Sequence, residues 1–161
     1  MLGVIADDLT GAGDASVQFA KRGWRTFLQL NVRQKPDTTD VRVVSGSSRT
    51  VIAITTDCRA LTNEAAEQLT ADALTLLMHA GIDRVFLKID STMRGSVQGQ
   101  IAGALAGWRT RYPDARAIVC PAYPRMGRTI VSNRLLVHGE PVESTAIGHD
   151  PVTPEIGRAH V

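Results

Sequence analysis

Short apolar runs closed by acids recur along this chain, and stretches of helical period separate them. The first run, Leu2-Gly3-Val4-Ile5-Ala6, stops at Asp7-Asp8 and continues through Leu9-Thr10-Gly11-Ala12. A run of that length, cut off by polar residues and Gly, predicts a buried strand turning tightly into a helix. Ala12, Ala15, Ser16, Phe19 and Ala20 then share one helical face, with Gly23 as its stop. Thr10 is the expected cap, leaving backbone N–H groups near Gly11 and Ala12 to meet an anion. Trp24 to Leu30 reads as a second strand. The polar segment from Arg33 to Ser48 reads as a surface excursion, with at most a short strand at Val41 to Val44. The β-branched run Thr50 to Thr56 predicts a central strand, and it too ends in an acid, Asp57, followed by Cys58-Arg59.

Leu61-Thr62-Asn63-Glu64 has the form of a helix start with Thr62 as cap; Ala66, Leu69, Ala73, Leu76, Leu77 and Ala80 keep helical period up to Gly81. Arg84 to Ile89 is the next predicted strand and ends in Asp90-Ser91-Thr92-Met93-Arg94-Gly95. Val97, Ile101, Ala104, Leu105 and Trp108 make the expected inner face of another helix, closed off by Pro113. Arg116 to Cys120 reads as a further strand, and Pro121 to Thr129 as an irregular loop. From Ile130 the period changes, and Leu135 to Val142 predicts a small hairpin turning at His138-Gly139. Strands alternating with helices imply parallel pairing with right-handed crossovers. The expected fold class is therefore α/β, a Rossmann-like parallel sheet flanked by helices, with a C-terminal β-hairpin excursion.

Composition narrows this picture. The 161 residues, 43% hydrophobic and 21% charged, suit one soluble globular domain. A net charge of +2 is too small for a nucleic-acid surface, and no segment approaches membrane-spanning length. Most of the cations are Arg, which suits recognition of carboxylate or phosphate. Cys58 and Cys120 stand far apart in no CxxC spacing, so neither a disulfide framework nor a metal site is indicated, and a reducing, cytoplasmic setting is expected. Residues 156–161, Ile-Gly-Arg-Ala-His-Val, match the translation of a common sequencing adapter. The functional domain is accordingly expected over 1–154.

The strand ends collect the polar chemistry: Asp7, Asp8 and Thr10; Asp57 and Arg59; Lys88, Asp90, Ser91 and Arg94; then Arg125 and Arg128. In a parallel sheet the first three sets fall on the carboxyl edge, where ligands of open α/β folds gather. Carboxylates and cations meeting there suit a small hydroxylated anion, with Arg59, Lys88 or Arg94 holding its carboxylate and the acids accepting its hydroxyls. Each residue alone also has an ordinary reading: the acid pair as favouring a helix dipole, Arg59 as a surface cation, Lys88 as a snorkelling strand end, Arg94 as a partner for Asp90. A phospho-receiver module is a rival arrangement of Asp7, Asp8, Asp57 and Lys88, although Lys88 comes one strand too early for it. A dinucleotide-binding enzyme is disfavoured because Gly11-Ala12-Gly13 lacks the third glycine and follows two acids. A stand-alone small-anion-binding module is the third alternative.

Taken together and in order, Ile5-Ala6-Asp7-Asp8-Leu9-Thr10-Gly11-Ala12, Thr56-Asp57-Cys58-Arg59, Lys88-Ile89-Asp90-Ser91-Thr92-Met93-Arg94-Gly95 and Pro121-Ala122-Tyr123-Pro124 through Gly127-Arg128-Thr129 resemble the N-terminal domain of the four-carbon acid sugar kinase family, from about Leu2 to Pro154. The resemblance implies phosphorylation of a tetronate-type acid (threonate, erythronate or a 3-oxo form) with ATP and Mg²⁺. The sugar acid would bind this domain and the nucleotide a second domain that this sequence lacks. The motif from Lys88 to Gly95 looks more like the threonate and erythronate branches. Carried onto this chain, the resemblance makes Asp7, Asp8, Thr10, Arg59, Lys88, Ile89, Asp90, Ser91 and Arg94 substrate contacts, with Asp7 or Asp8 orienting or deprotonating the acceptor hydroxyl. Two departures stand out: Cys58 replaces the Ser of an acid-Ser-Arg motif, and no Gly-x-x-x-x-Gly-Lys-Ser/Thr loop is present. The expected partners are a small sugar acid and, in an open oligomeric state, further copies of the chain. The chain is expected to bind the acid weakly and not to transfer phosphate by itself.

Overall fold

The computed structural model describes residues 1–30 and 49–151. The short strand expected at Val41 to Val44 and the terminal segment 156–161 lie outside them. Four parallel strands form the main layer: β1 (Leu2–Ala6), β2 (Arg25–Gln29), β3 (Thr50–Thr55) and β4 (Arg84–Lys88), in the order β2-β3-β1-β4. The helices α1 (Leu9–Ala20), α2 (Asn63–His79) and α3 (Val97–Arg109) connect and cover them. Leu2 pairs with both Val51 and Arg84, and Ala6 with both Thr55 and Lys88, so β1, β3 and β4 end level.

Burial follows the period of two along the central strands. Ile5, Ile52 and Ile54 point to one face, where Ala73, Leu74 and Leu77 of α2 and Ile82 meet them; Val4, Val51 and Ala53 point to the other, against Ala15 of α1. Every residue of β3 is buried, as its unbroken β-branched run predicts. Edge strands β2 and β4 instead leave Phe27 and Phe86 exposed.

Helix α3 corrects one expectation. Its fully buried positions are Val97, Gly99, Gln100 and Gly103, whereas Ile101, Ala104, Leu105 and Trp108 are only half-buried. The reason is backbone contact with α2: a Cβ at Gly99 would stand 2.0 Å from the Asn63 carbonyl, and one at Gly103 2.2 Å from that of Glu67. A glycine every fourth residue lets the two helices touch along their backbones, which turns the larger apolar residues aside.

Arg116 to Cys120 is a second correction, because it forms no strand, and Ile118 is 97% exposed. β-propensity describes fit to a pleated, half-buried surface, and here no ladder supplies one. The segment instead borders an apolar groove of about 420 Å³ shared with Phe86, Leu105 and Trp108. Beyond it lies a small antiparallel lobe of β5 (Arg128–Val131), β6 (Arg134–Val137) and β7 (Glu140–Pro141). The hairpin turning at His138-Gly139 is present as expected, but Pro121 to Thr129 is not wholly irregular: it holds a short 3-10 helix, Pro124–Met126, and the start of β5. Both hairpin turns, Ser132-Asn133 and His138-Gly139, have positive φ at each central residue, the conformation that matches strand twist.

Candidate functional site

Level strand ends place Asp7, Thr56 and Ile89 side by side immediately after β1, β3 and β4. The loops are stitched across that edge: Thr56 N–H donates to Ala6 O (2.9 Å), Asp7 N–H to Lys88 O (3.4 Å) and Cys58 N–H to Asp7 O (3.2 Å). Asp8, not Thr10, caps α1; its Oδ1 accepts the Gly11 N–H at 2.6 Å. Thr10 lies inside the helix and is exposed. A carboxylate one residue before the helix competes better for the free N–H groups than a hydroxyl already within it. Space at Gly11 is tight: a Cβ would fall 2.7 Å from Asp8 Oδ1 and 3.4 Å from Lys88 Nζ, so a larger residue would push the capping carboxylate aside.

Arg59 ties the acid pair together. Its Nε donates to Asp7 Oδ2 (2.7 Å), its Nη2 to Asp7 Oδ1 (3.1 Å), and the same Nη2 lies 2.9 Å from Asp8 Oδ2. The Asp7 side chain is wholly buried, and that burial raises its pKa despite the hydrogen bonds and charge of Arg59. Burial would lower the Arg59 pKa, but Asp7 and Asp8 outweigh it and hold the guanidinium more firmly charged.

A second ion-paired group follows β4. Arg94 Nε donates to Asp90 Oδ2 (2.8 Å) and Nη2 to Asp90 Oδ1 (3.3 Å), while the Thr92 hydroxyl makes a short hydrogen bond to Asp90 Oδ2. Burial alone would raise the Asp90 pKa; the donors Arg94 and Thr92, with Arg59 further off, bring it down to about 2. Arg94 also reaches Asp150, with Nη1 3.0 Å from Oδ2. Lys88 Nζ donates to Ile89 O at 2.8 Å.

The two groups meet through the backbone. Ser96 N–H donates to Arg59 O (3.2 Å) and Ser96 Oγ to Cys58 O (2.7 Å). Gly95, with φ +78°, lies so close that a Cβ would fall 2.1 Å from Arg59 O. Cys58 is buried, and burial pushes its thiol pKa up; the Thr56 hydroxyl lies 3.0 Å from Sγ.

Asp7, Asp8, Arg59, Lys88, Asp90 and Arg94 thus share one edge, with Ile89 and Ser91 on the same loop. Thr10 sits on the exposed side of α1's first turn. Asp57 has φ +49° and an exposed side chain, and Arg125 and Arg128 belong to the small lobe. Asp7 and Asp8 face a guanidinium rather than an open cation site, which disfavours the phospho-receiver arrangement. Thr92 and Asp150 were missed as partners. Thr92 lies inside a quoted motif, but Asp150 is 56 residues from Arg94 and no local pattern marks it.

The start of α1 is poorly suited to a phosphate. The Gly11 N–H, the donor that a phosphate at α1 would use, is taken by Asp8, and two carboxylates there repel a polyanion. Among the described residues no group of three His, Cys, Asp or Glu side chains is arranged to hold a metal ion.

A parallel α/β layer with cations and carboxylates on its carboxyl edge is the architecture of a small-ligand-binding domain. The chain belongs to the family described as the sugar-binding N-terminal domain, which matches residues 2–156. It is 38% identical over 160 residues to a D-threonate kinase of Bordetella bronchiseptica, covering 99% of this chain and 38% of that protein. A D-erythronate kinase of Heliobacterium modesticaldum is 37% identical over 94% of this chain and 32% of its own length. The chain therefore spans about a third of the length of these relatives. Among solved structures, a domain of unknown function from B. bronchiseptica, a domain-swapped dimer with bound citrate, superposes with a TM-score of 0.84 at 39% identity, covering 96% of this chain and 37% of that one. A Haemophilus influenzae protein does so with a TM-score of 0.76 at 25% identity, covering 95% and 35%.

Proposed function

We propose that this chain is the acid-holding part of an ATP-dependent kinase for a four-carbon acid sugar of the threonate or erythronate type. The observation that carries the reading is the convergence of Asp8, Arg59 and Lys88, from the ends of three strands far apart in sequence, on one sheet edge. Its roles divide by exposure. Asp7 is wholly buried and both its oxygens are engaged by Arg59, so it sets that guanidinium in place. Asp8, with a side chain 26% exposed, is the carboxylate able to touch an acceptor hydroxyl and orient or deprotonate it. Lys88 and Arg94 neutralise the substrate carboxylate, and Arg59 the charge between the acids. Ile89 and Ser91 line the loop, and Thr10 lies at its rim.

Phosphoryl transfer depends on positioning and charge neutralisation, and such an edge supplies both for the acceptor. ATP with Mg²⁺ would supply the phosphoryl group and be held mainly by residues outside this chain. The citrate in the Bordetella neighbour is a hydroxylated carboxylate, the chemical class this edge suits. That neighbour's dimer supports self-association here, and a cytoplasmic setting fits a metabolic kinase.

Titration calorimetry of this chain with D-threonate and D-erythronate tests the reading. Binding of at least one, weakened about tenfold or more in Asp8→Asn, is expected on the scale of one charge-assisted hydrogen bond. No binding of either acid overturns it. Phosphate transfer from ATP by this chain alone would overturn the assignment of the nucleotide site to residues outside it.

A further inference from the structure

Asp150 belongs to no motif evident in the sequence, yet its carboxylate completes the surroundings of Arg94. Arg94 Nε and Nη2 go to Asp90 at 2.8 and 3.3 Å, and Nη1 goes to Asp150 at 3.0 Å. Two carboxylates from distant parts of the chain therefore fix the plane of one guanidinium. Asp150 reaches this point through consecutive tight turns, with Thr145 N–H donating to Val142 O (3.1 Å), Gly148 N–H to Thr145 O (2.9 Å) and Asp150 N–H to Ile147 O (3.2 Å). A Cβ at Gly148 would stand 2.7 Å from the carbonyls of Val142 and Glu143, so that path has little slack. The Arg94 and Asp150 side chains are 28% and 20% exposed, and ion pairs so situated add little to stability. Their gain is orientation.

We propose that Asp150 is a positioning residue of the acid-sugar site: by taking one Nη1 N–H of Arg94 while Asp90 takes Nε and Nη2, it presets the guanidinium so that its two remaining N–H groups meet the ligand's carboxylate. This rests on the functional reading above. A preset donor loses less rotamer freedom on binding, so the ligand is held more tightly. Bare electrostatics predicts the opposite sign, because removing a carboxylate makes the edge more attractive to an anion.

The test is calorimetric titration of the full chain with D-threonate and D-erythronate in wild type, Asp150→Asn, Asp150→Glu, Arg94→Lys and the Asp150→Asn/Arg94→Lys double variant. The ¹⁵N resonance of Arg94 Nε–H and thermal melts accompany it. Asp150→Asn is expected to bind about tenfold more weakly, with a moved or broadened Arg94 resonance and little change in melting temperature. Asp150→Glu, which keeps the charge, recovers part of the loss, and Asp150→Asn adds nothing once Arg94 is Lys. Unchanged or tighter binding in Asp150→Asn overturns the proposal while leaving the functional reading intact. Wild type that binds neither acid overturns both. A loss of affinity that persists in the Arg94→Lys background also overturns it.

Discussion

Replacing Arg59 with Met removes the partner of a wholly buried carboxylate and leaves the sheet packing alone. Asp7 then keeps its burial but loses the donors at 2.7 and 3.1 Å that offset it. Breaking a buried pair from one side costs about 3–5 kcal/mol. The lower end applies, because the Arg59 side chain is 24% exposed and Asp7 can take up a proton. A loss of about 3 kcal/mol corresponds to a fall in Tm of about 6–12 °C for a domain of this size. The pH dependence follows from the direction of the shift. Asp7 already titrates above its unfolded value because burial outweighs Arg59, and without Arg59 it rises further. A carboxyl whose folded pKa is raised favours the folded state in acid, and that advantage fades as pH climbs through the folded pKa. The deficit of Arg59→Met should therefore be largest at pH 7.5 and shrink at pH 4.5. Adding Asp7→Asn should restore much of it at pH 7.5, since no unpaired charge remains. Urea unfolding of the four members of this cycle at both pH values is the assay. A deficit equal at the two pH values, or a strictly additive double variant, refutes the reasoning.

Asp90 behaves with the opposite sign. Its pKa is held at about 2 against an ordinary 3.8, so it contributes about 2 kcal/mol at neutral pH that disappears as pH falls from about 4 through about 2. Urea unfolding across that range should show this loss in wild type and not in Asp90→Asn; identical acid profiles would contradict the pairing. The two thiols should separate cleanly with a thiol-specific disulfide reagent: exposed Cys120 reacts at once, while buried Cys58, its pKa raised, reacts only in denaturant. Two prompt thiols in the native chain would show that the loop after β3 does not close over Cys58.

Local rules predicted the parts of this fold that depend on local causes. β1, β3 and β4 are legible because apolar runs of strand length, each broken by an acid, have few other uses, and α2 because Thr62 caps it through the Ala65 N–H at 3.3 Å. The hairpin at His138-Gly139 was legible from its turn residues. Arg116 to Cys120 has the composition of a strand but no ladder to join, and the inner face of α3 was misread because Gly99 and Gly103 drive the packing by what they lack. Their spacing of four was visible in the sequence. Asp8 and not Thr10 is the cap because the helix starts at Leu9, two residues before the start that a Thr10 cap implies.

The site was legible for the same reason as the sheet. Parallel strands that end level must deliver whatever follows them to one edge, and Ala6, Thr55 and Lys88 are in register. Which side chain takes which role is set instead by pairing, and pairing is not local. Arg59 chooses Asp7 across 52 residues, and Arg94 is shared between Asp90 and Asp150. Two members of the cluster stay within reach of a ligand: Asp8, 26% exposed beside the buried Asp7 even as it caps Gly11 and shares Arg59, and Lys88, which donates to a backbone carbonyl. A ligand that brings both a carboxylate and hydroxyls can engage these two without disturbing the buried pairs, so the fold can hold the site in shape before anything binds.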